Sequence, residues 1–365
     1  MPTPRSSTAT SARKRAASLP ERRFPGEWEA HAATWIAWPH HEPDWPGKLE
    51  AIHWVYAEIA RVLATHESVH VLCHDRDVRM RAESCLAAHG VSANVQLHLV
   101  PTDRVWLRDS APTTVMRRDG SIELVNWQFS AWAKYDNYAL DREVGMAIER
   151  LAGLPRAQAL RPDGHPLVLE GGAIDTDGHG TLLVTEECLL SEVQARNPGM
   201  TAADYERAFG EWLGIQKTIW LGEGCVGDDT HGHVDDIARF AARDVVVLAY
   251  EEDPADENHR RSKDNFKRLQ AAGGRKGDFT VVKLPYPRPV TMNGERLPAS
   301  YANFYIANDV VIVPTFNDPD DRVALNILTE VFPEHDVIGI HAVDLVWGLG
   351  TLHCLTQQET RARVK

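Results

Sequence analysis

None of the five cysteines, at 73, 85, 188, 225 and 354, forms a C-x-x-C pair. That spacing argues against a structural zinc site and against the disulfide framework of a small secreted domain. No apolar run approaches the ~18 residues of a membrane-spanning helix. No Gly-x-Gly-x-x-Gly follows an early strand and no Walker A sequence occurs, so dinucleotide and P-loop readings lack their usual support. Positive charge is also in deficit, with 39 Lys and Arg against 52 Asp and Glu and a net charge of -13. A general nucleic-acid binder needs a basic footprint, and this chain has none. The same acidity favours a cationic small molecule near the surface.

At 365 residues the chain has room for two ordinary domains or one large domain of repeated units. Residues 1–20 hold four basic residues and no acid, the remainder being mostly Ser, Thr, Ala and Pro. We read 1–23 as a disordered tail, with an organellar presequence as the minor reading. Arg22-Arg23 lacks the apolar segment that a twin-arginine signal requires, and the expected location is the cytoplasm.

From Phe24 onward strands and helices alternate. Strands are predicted at Thr34–Trp38, Val69–Cys73, Val95–Val100, Val125–Phe129, Thr181–Thr185, Val245–Tyr250, Thr280–Leu284, Asp309–Pro314 and Asp336–Ile340. Helices are predicted at Leu49–Ala64, Val78–Ala88, Leu140–Leu151, Thr201–Leu213, His259–Ala271 and Arg322–Val331. This is an α/β pattern without linkers of low complexity. Periodicity alone leaves a doubly wound sheet and a repeated α/β architecture both open.

Four segments hold residues suited to chemistry. Trp106-Leu107-Arg108-Asp109 sets a carboxylate beside an indole face, a seat for a cationic group, or else two solvated surface charges. Leu167-Val168-Leu169-Glu170-Gly171-Gly172 ends an apolar, strand-like run on an acid that calls for a partner, with two glycines permitting close approach. Asp228 to Asp236 is the densest cluster. In it His231, His233, Asp235 and Asp236 form a metal-ligand candidate, an H-x-H-x-D core similar to that of metallo-β-lactamases. The other reading makes His233 a general acid or base with Asp235 and His231 on the same face of an extended segment. Finally, Gly348 to Gln358 carries Cys354 on a short piece entered through glycines. Cysteine attacks as the thiolate and needs a histidine or a bound cation to form it. On a strand the adjacent His353 faces away, so a distant histidine is the better partner.

Taken together and in order, Trp-Leu-Arg-Asp, Glu-Gly-Gly, Asp-Thr-His-Gly-His-Val-Asp, Leu-Pro-Ala-Ser-Tyr-Ala-Asn-Phe-Tyr and His-Cys-Leu-Thr-Gln-Gln resemble the agmatine deiminase and bacterial-type peptidylarginine deiminase family. The resemblance runs from Trp28 to about Gln358. It implies the five-bladed pseudo-symmetric α/β propeller of guanidino-modifying (pentein) enzymes, as a single catalytic domain over 24–365. It also implies hydrolysis of a guanidine to a ureido product and ammonia through a Cys thiouronium, with no metal or organic cofactor. By the same resemblance Asp109 and Asp235 grip the guanidinium, Glu170 and His233 handle protons, Cys354 attacks, and Trp106 and Arg108 line or brace the channel. The homodimer is likewise carried from the resemblance. Asp109, Glu170 and His233 lie 61 and 63 residues apart and Cys354 follows 121 later, with Asn303 in the skipped interval as a further site-lining candidate. A repeated unit presenting one key residue at a similar edge gives such a spacing.

Agmatine is the first substrate expectation. Trp132-Ala133-Lys134-Tyr135 departs from the glycine-rich stretch that follows a similar tryptophan in agmatine deiminases, which keeps peptidylarginine or another guanidine open. An amidinotransferase of the same superfold, and a metal-dependent hydrolase built on His231 and His233, are the alternative chemistries.

Overall fold

The near-continuous β-branched runs Val245–Ala249 and Val310–Thr315 are buried along most of their length, as strands covered on both faces must be. They form the middles of two sheets in a computed structural model that describes residues 20–91, 93–274 and 277–363. Among the described residues there are five sheets of three or four strands and one two-stranded hairpin, Thr291–Met292 with Glu295–Arg296.

One pattern recurs in each of the five. A short inner strand runs antiparallel to a central strand, a helix crosses over, and a third strand returns parallel to the central one. Thr113–Arg117, Ile122–Asn126, helix Val144–Ala152 and Arg156–Gln158 make one such unit. Asp175–Thr176, Thr181–Thr185, helix Ala202–Leu213 and Lys217–Leu221 make the next. Ala238–Ala242, Val245–Ala249, helix Glu257–Ala272 and Thr280–Leu284 follow. Then come Tyr305–Ala307, Val310–Thr315, helix Asp320–Val331 and Asp336–His341. The fifth joins the two ends of the chain: Gln357–Thr360 pairs antiparallel with His31–Ala37, which helix Leu49–Leu63 connects to parallel Ser68–Cys73 and then Val95–Leu99.

The crossover helices are amphipathic. Leu49–Leu63 buries Ile52, Tyr56, Ile59, Ala60 and Leu63, one stripe at 3–4 residue spacing. Helix Ala202–Leu213 starts in a capping box between Thr201 and Asp204 and stops at Gly214, whose φ of 73° is the left-handed cap position. The predicted elements are nearly all present. The exceptions are instructive: the strand expected at Val125–Phe129 lies earlier, at Ile122–Asn126, and Leu167–Leu169 makes only an isolated bridge from Val168 to Gln128. The inner strands went unread because they are short and buried on both faces, leaving no alternation to see.

The tail expected over 1–23 lies outside the described residues as far as position 19. Its last residues are ordered: Arg22–Arg23 pair with Met116 and Arg117, and Arg22 Nε donates to Glu123 at 2.7 Å. Among the described residues no helix is long and apolar enough to cross a membrane.

The turn after Arg22–Arg23 delivers Glu27 into the interior, where it ties the units together. Its Oε1 accepts from Arg239 Nη2 at 2.8 Å and from the Ile306 amide at 2.9 Å. Its Oε2 meets His353 Nε2 at 2.8 Å and Arg108 Nη2 at 3.3 Å. Arg239 in turn donates to Asp175 Oδ2 at 2.7 Å and to the Phe304 carbonyl at 2.6 Å. Burial alone would raise the Glu27 carboxyl pKa, but Arg239, His353 and Arg108 outweigh it and hold it well below the ordinary 4.5. A folded pKa below the unfolded one gives stability that is present above about pH 4.5 and is lost as the pH falls through the folded value. We therefore expect Glu27→Gln to lower the urea unfolding free energy by about 3–5 kcal/mol at pH 7, because it leaves buried cations short of a counter-charge. The variant should also lose less stability than the native protein between pH 5 and 3; parallel acid slopes in urea titrations would refute this account of Glu27.

Candidate active site

Each inner strand is preceded, within a few residues, by a tight helical or hydrogen-bonded turn, and the turns carry the polar groups singled out from sequence. Leu107–Ser110 holds Asp109, Gly171–Ala173 follows Glu170, Val234–Asp236 follows His233 and holds Asp235, and Leu352–Leu355 holds Cys354. Asn303 precedes Tyr305–Ala307 in the same way. The repeat explains the regular spacing of these residues along the chain: each unit contributes the turn that enters its inner strand.

Asp109 is buried and doubly held. Its Oδ2 accepts from Trp132 Nε1 at 2.9 Å and its Oδ1 from the Gly172 amide at 3.0 Å. His233 Nδ1 lies 3.8 Å from the same Oδ1, and His233 Nε2 lies 3.5 Å from Glu170 Oε2. Glu170 is gripped in turn by Arg196 Nε, 3.2 Å from both oxygens. Gly172 sits where these groups converge. A Cβ there would lie 2.5 Å from His233 Nδ1 and 3.0 Å from both Asp109 Oδ1 and Asp235 Oδ2, so only glycine fits.

Asp235 Oδ2 lies 3.7 Å from Cys354 Sγ and 2.7 Å from His353 Nδ1. Its Oδ1 is buried with no hydrogen-bond partner, an acceptor open to a ligand donor. Asn303 Nδ2 donates to Cys354 Sγ at 3.2 Å and to Asp236 Oδ1 at 3.0 Å. Its Oδ1 accepts from Thr351 Oγ1 at 2.7 Å and the His353 amide at 3.0 Å, fixing the turn that presents the thiol. Gly350 is required here too, since a Cβ would sit 2.8 Å from the Trp106 ring and 3.1 Å from Cys354 Cβ.

Asp109 and Cys354 open into one cavity of about 460 Å³, walled by Trp106, Trp132 and Tyr135 with Asp44 among the polar groups. The electrostatics of the empty site hold its groups in a defined state. Burial, then the charges of Asp235, Asp236 and Asp109, push the Cys354 thiol pKa well above 9.0. Burial raises Asp109 to about 6, against the pull of His233 and with the push of Asp235 and Glu170. Burial would lower His233, but Asp109, Cys188 and Glu170 together hold it well above 6.5. Asp235 resists burial through His353 and stays below its ordinary value. The pocket thus combines a histidine biased toward its proton, carboxylates crowded together beside it, and a thiol that burial and those carboxylates hold in its protonated form.

Three expectations are corrected. Arg108 does not line the cavity: it points into the interior, donating to Gln358 Oε1 at 2.7 Å and the His353 carbonyl at 3.2 Å as well as to Glu27. Cys354 lies on a helical turn, not a strand, and His353 turns its ring to Asp235 and Glu27, making it a support of the site. His231 does not share a face with His233, because the backbone turns at His231 (φ 63°) and Gly232 (φ 96°) and sends His231 Nε2 to Ser191 Oγ at 3.1 Å. Among the described residues the sets with donor atoms close enough for a metal ion are Glu170, Cys188, His233 and Asp235, Asp236, Cys354. Neither contains His231, so the metal centre built on His231 and His233 is not assembled. Sequence reasoning passed over Glu27, Arg196 and Arg239 as supports; only Arg239, a lone cation in the apolar run Ile237 to Ala242, carries a signal that a buried counter-charge exists.

Residues 23–359 match the family model for Porphyromonas-type peptidyl-arginine deiminases. The chain belongs to that family. A Latilactobacillus sakei subsp. sakei (strain 23K) relative named "Putative agmatine deiminase" is 35% identical over 362 residues, covering 92% of this chain and 95% of that one. The family member solved as the agmatine deiminase of Enterococcus faecalis catalysing its reaction superposes with a TM-score of 0.84 at 30% identity, over 94% of this chain and 97% of that chain. A cysteine-to-serine variant of C. jejuni agmatine deiminase with substrate bound gives 0.83 at 26% identity, over 93% and 97%. The deiminase family member described here thus shares the guanidino-modifying α/β fold of those enzymes.

At pH 7 cationic 2-chloroacetamidine should alkylate Cys354 about a hundredfold faster than neutral 2-chloroacetamide, the equivalent of about 2.7 kcal/mol of charge-assisted binding. Asp235→Asn should erase most of that preference. Peptide mass spectrometry reads the site of alkylation, and equal rates for the two reagents would dismiss the acids as a cation trap.

Proposed function

We propose that this chain is an agmatine deiminase, hydrolysing agmatine to N-carbamoylputrescine and ammonia. The observation that carries the reading is the pair of carboxylates Asp109 and Asp235 around Gly172, with the Cys354 sulfur 3.7 Å from Asp235. A guanidinium offers planar N–H groups to carboxylates on either side, and such pairing orients its carbon over the nucleophile. The agmatine deiminases to which the chain is similar favour that substrate. So does the cavity wall: Asp44 pairs with Arg104 and Asp229 with Lys134, leaving Glu295 as the acid in excess there, and agmatine carries a second positive charge where arginine adds a negative one. The same reading takes 24–365 as one catalytic domain with the architecture of a five-bladed pseudo-symmetric α/β propeller, a homodimer and a cytoplasmic location.

The mechanism follows from the charges. Substrate enters as a cation and offsets the carboxylates that hold the Cys354 proton, so the thiol gives that proton to solvent as substrate binds and regains one from the hydroxyl of the second adduct. The thiolate attacks the guanidino carbon and forms a C–S bond. Protonated His233, oriented by Glu170, gives its proton to the leaving nitrogen as the C–N bond breaks, releasing ammonia and leaving a thiouronium. Neutral His233 then removes a proton from water, which attacks the same carbon. Collapse of this second adduct breaks the C–S bond, yielding the ureido product and the free cysteine. Asn303 serves the nucleophile by fixing its turn.

Cys354→Ser and His233→Ala should each lower ammonia release by about 10³-fold or more, within the range of covalent and general acid–base contributions. The native protein should give equal ammonia and ureido product from agmatine, with kcat/KM at least about tenfold above that for arginine or an arginine-containing peptide, the equivalent of about 1.4 kcal/mol. A preference for the peptide would transfer the reading to peptidylarginine, and ammonia-free transfer to an added amine would make the chain an amidinotransferase.

A further inference from the structure

Behind His233 lies a second thiol that the reaction does not use. Cys188 sits in the turn Glu186–Leu190, buried, and its sulfur, a Glu170 oxygen and a His233 ring nitrogen lie within 4.8 Å of one another. The turn is tied to the histidine's own loop. Thr185 Oγ1 accepts from the Cys188 amide at 3.1 Å and donates to the carbonyl of Gly232, the residue before His233. Cys188 and His233 are thereby held in one frame.

The groups around His233 are otherwise one-sided. Asp109 and Glu170 flank its two nitrogens at 3.8 and 3.5 Å, and Asp235 approaches through the Gly172 cradle. Asp228 accepts from the His233 backbone amide at 2.9 Å, and Asp236 follows on the same turn. Arg196 spends its Nε on both Glu170 oxygens and its remaining nitrogens on the Gln194 and Thr230 carbonyls. Cys354 lies beyond Asp235, 3.7 Å from its Oδ2. Ionised carboxylates only accept hydrogen bonds, so they suit the imidazolium and offer nothing to the lone pair of the neutral ring. A thiol both donates and accepts. The reaction requires His233 in both states, first as acid and then as base.

We propose that Cys188 is a positioning residue for His233, its thiol accepting from the imidazolium and donating to the neutral ring so that the side chain keeps one orientation through both halves of the reaction. The inference rests on the deiminase reading for its kinetic consequence, but the approach of the Cys188 sulfur to within 4.8 Å of His233, whose buried ring nitrogens have no hydrogen-bond partner among the described residues, is independent of substrate. It also explains why a thiol stands in this largely apolar cluster: Cys188 packs with Val184, Leu189, Tyr205 and Phe209, where an aliphatic side chain would serve packing alone.

The test compares Cys188→Ala, Cys188→Val and Cys188→Ser with the native protein. Ala and Val should lower kcat for agmatine about tenfold, part of the 10²–10⁴ that general acid–base catalysis contributes, with KM little changed. They should move the alkaline limb of the kcat/KM profile about half a pH unit or more toward lower pH, since the imidazolium has lost a charge-assisted bond and the neutral ring only a weaker one. Ser, which also donates and accepts, should restore both. The second readout needs no turnover: NMR titration of imidazole-labelled protein, with the His233 resonance assigned through His233→Gln, should show the same ordering of the three variants. Equal loss in Ala, Val and Ser with an unmoved His233 titration would reduce Cys188 to packing and overturn the proposal, as would native kcat in Ala. If the native protein releases no ammonia from agmatine while the NMR ordering holds, the positioning role stands and the substrate reading falls.

Discussion

The carboxylate of Glu27 is the point on which the site depends. Neighbouring units of the repeat contribute turns, and turns alone would drift relative to one another. Glu27 links the Arg108 side of the Asp109 turn, the strand of Arg239 that follows Asp235, the amide of Ile306 beyond Asn303, and His353 beside Cys354. Burying a charge is unfavourable unless it is paired on every side, and here the pairing spans the whole set of elements that present the chemistry. A buried ionic cluster of this kind adds little to net stability compared with an apolar substitute. Its effect is geometric: the cations can be satisfied in one relative placement of the units, so electrostatic completeness becomes register.

The same logic carries into the cavity with the opposite sign. Around Glu27 acids and cations are matched; at the cavity the acids outnumber the cations, Asp235 Oδ1 has no hydrogen-bond partner among the described residues, and Cys354 lies 3.7 Å from its other oxygen. A thiol in that field stays protonated and unreactive toward adventitious electrophiles. In the proposed reaction a guanidinium would remove the imbalance and the barrier to ionisation together. Recognition and activation would then be one event, because the charge that is bound is the charge that releases the nucleophile. This also explains the aromatic walls. Trp106, Trp132 and Tyr135 exclude water, which strengthens each remaining charge interaction, without adding a fixed cation that would relieve the acids prematurely.

The groups that meet at the candidate site were legible in the sequence because each sits in a short motif with a physical signature. Glu170 ends an apolar run and meets two glycines, Cys354 follows glycines, and His233 and Asp235 stand two apart. The elements with clear periodicity, such as Leu49–Leu63 and Val245–Ala249, were legible for the same reason. What escaped was the supporting layer. Glu27 stands in a stretch of mixed composition and its partners lie between 81 and 326 residues away, a relation no local pattern encodes. The resemblance set Arg108 to line or brace the channel, yet on a tight helical turn adjacent side chains diverge by about 100°, and Arg108 faces inward while Asp109 faces the cavity. Reading the Cys354 segment as a strand turns His353 away from the sulfur, whereas on the helical turn both approach Asp235 Oδ2, and its support of the site went unread.

The segment after Asp109's tryptophan partner shows how strain is retained where it positions a functional group. Ala131, Trp132 and Ala133 all take left-handed backbone angles, with φ of 47°, 58° and 54°. For residues with a Cβ this costs about 1–2 kcal/mol each, and glycine is the residue that would avoid it. Bonds on every side offset that cost. Ser130 Oγ accepts from the Ala133 amide at 3.2 Å, Gln194 donates to the Trp132 carbonyl at 3.1 Å, and Trp132 Nε1 is spent on Asp109. Lys134 and Tyr135 continue the restraint by holding Asp229 between them. No glycine stands between Ser130 and Tyr135, and the Asp229 anchor on Lys134 and Tyr135 holds what flexibility would relax. The outcome is a rigid wall whose indole fixes Asp109, and whose outer end, Tyr135 with Asp229, lines the same cavity.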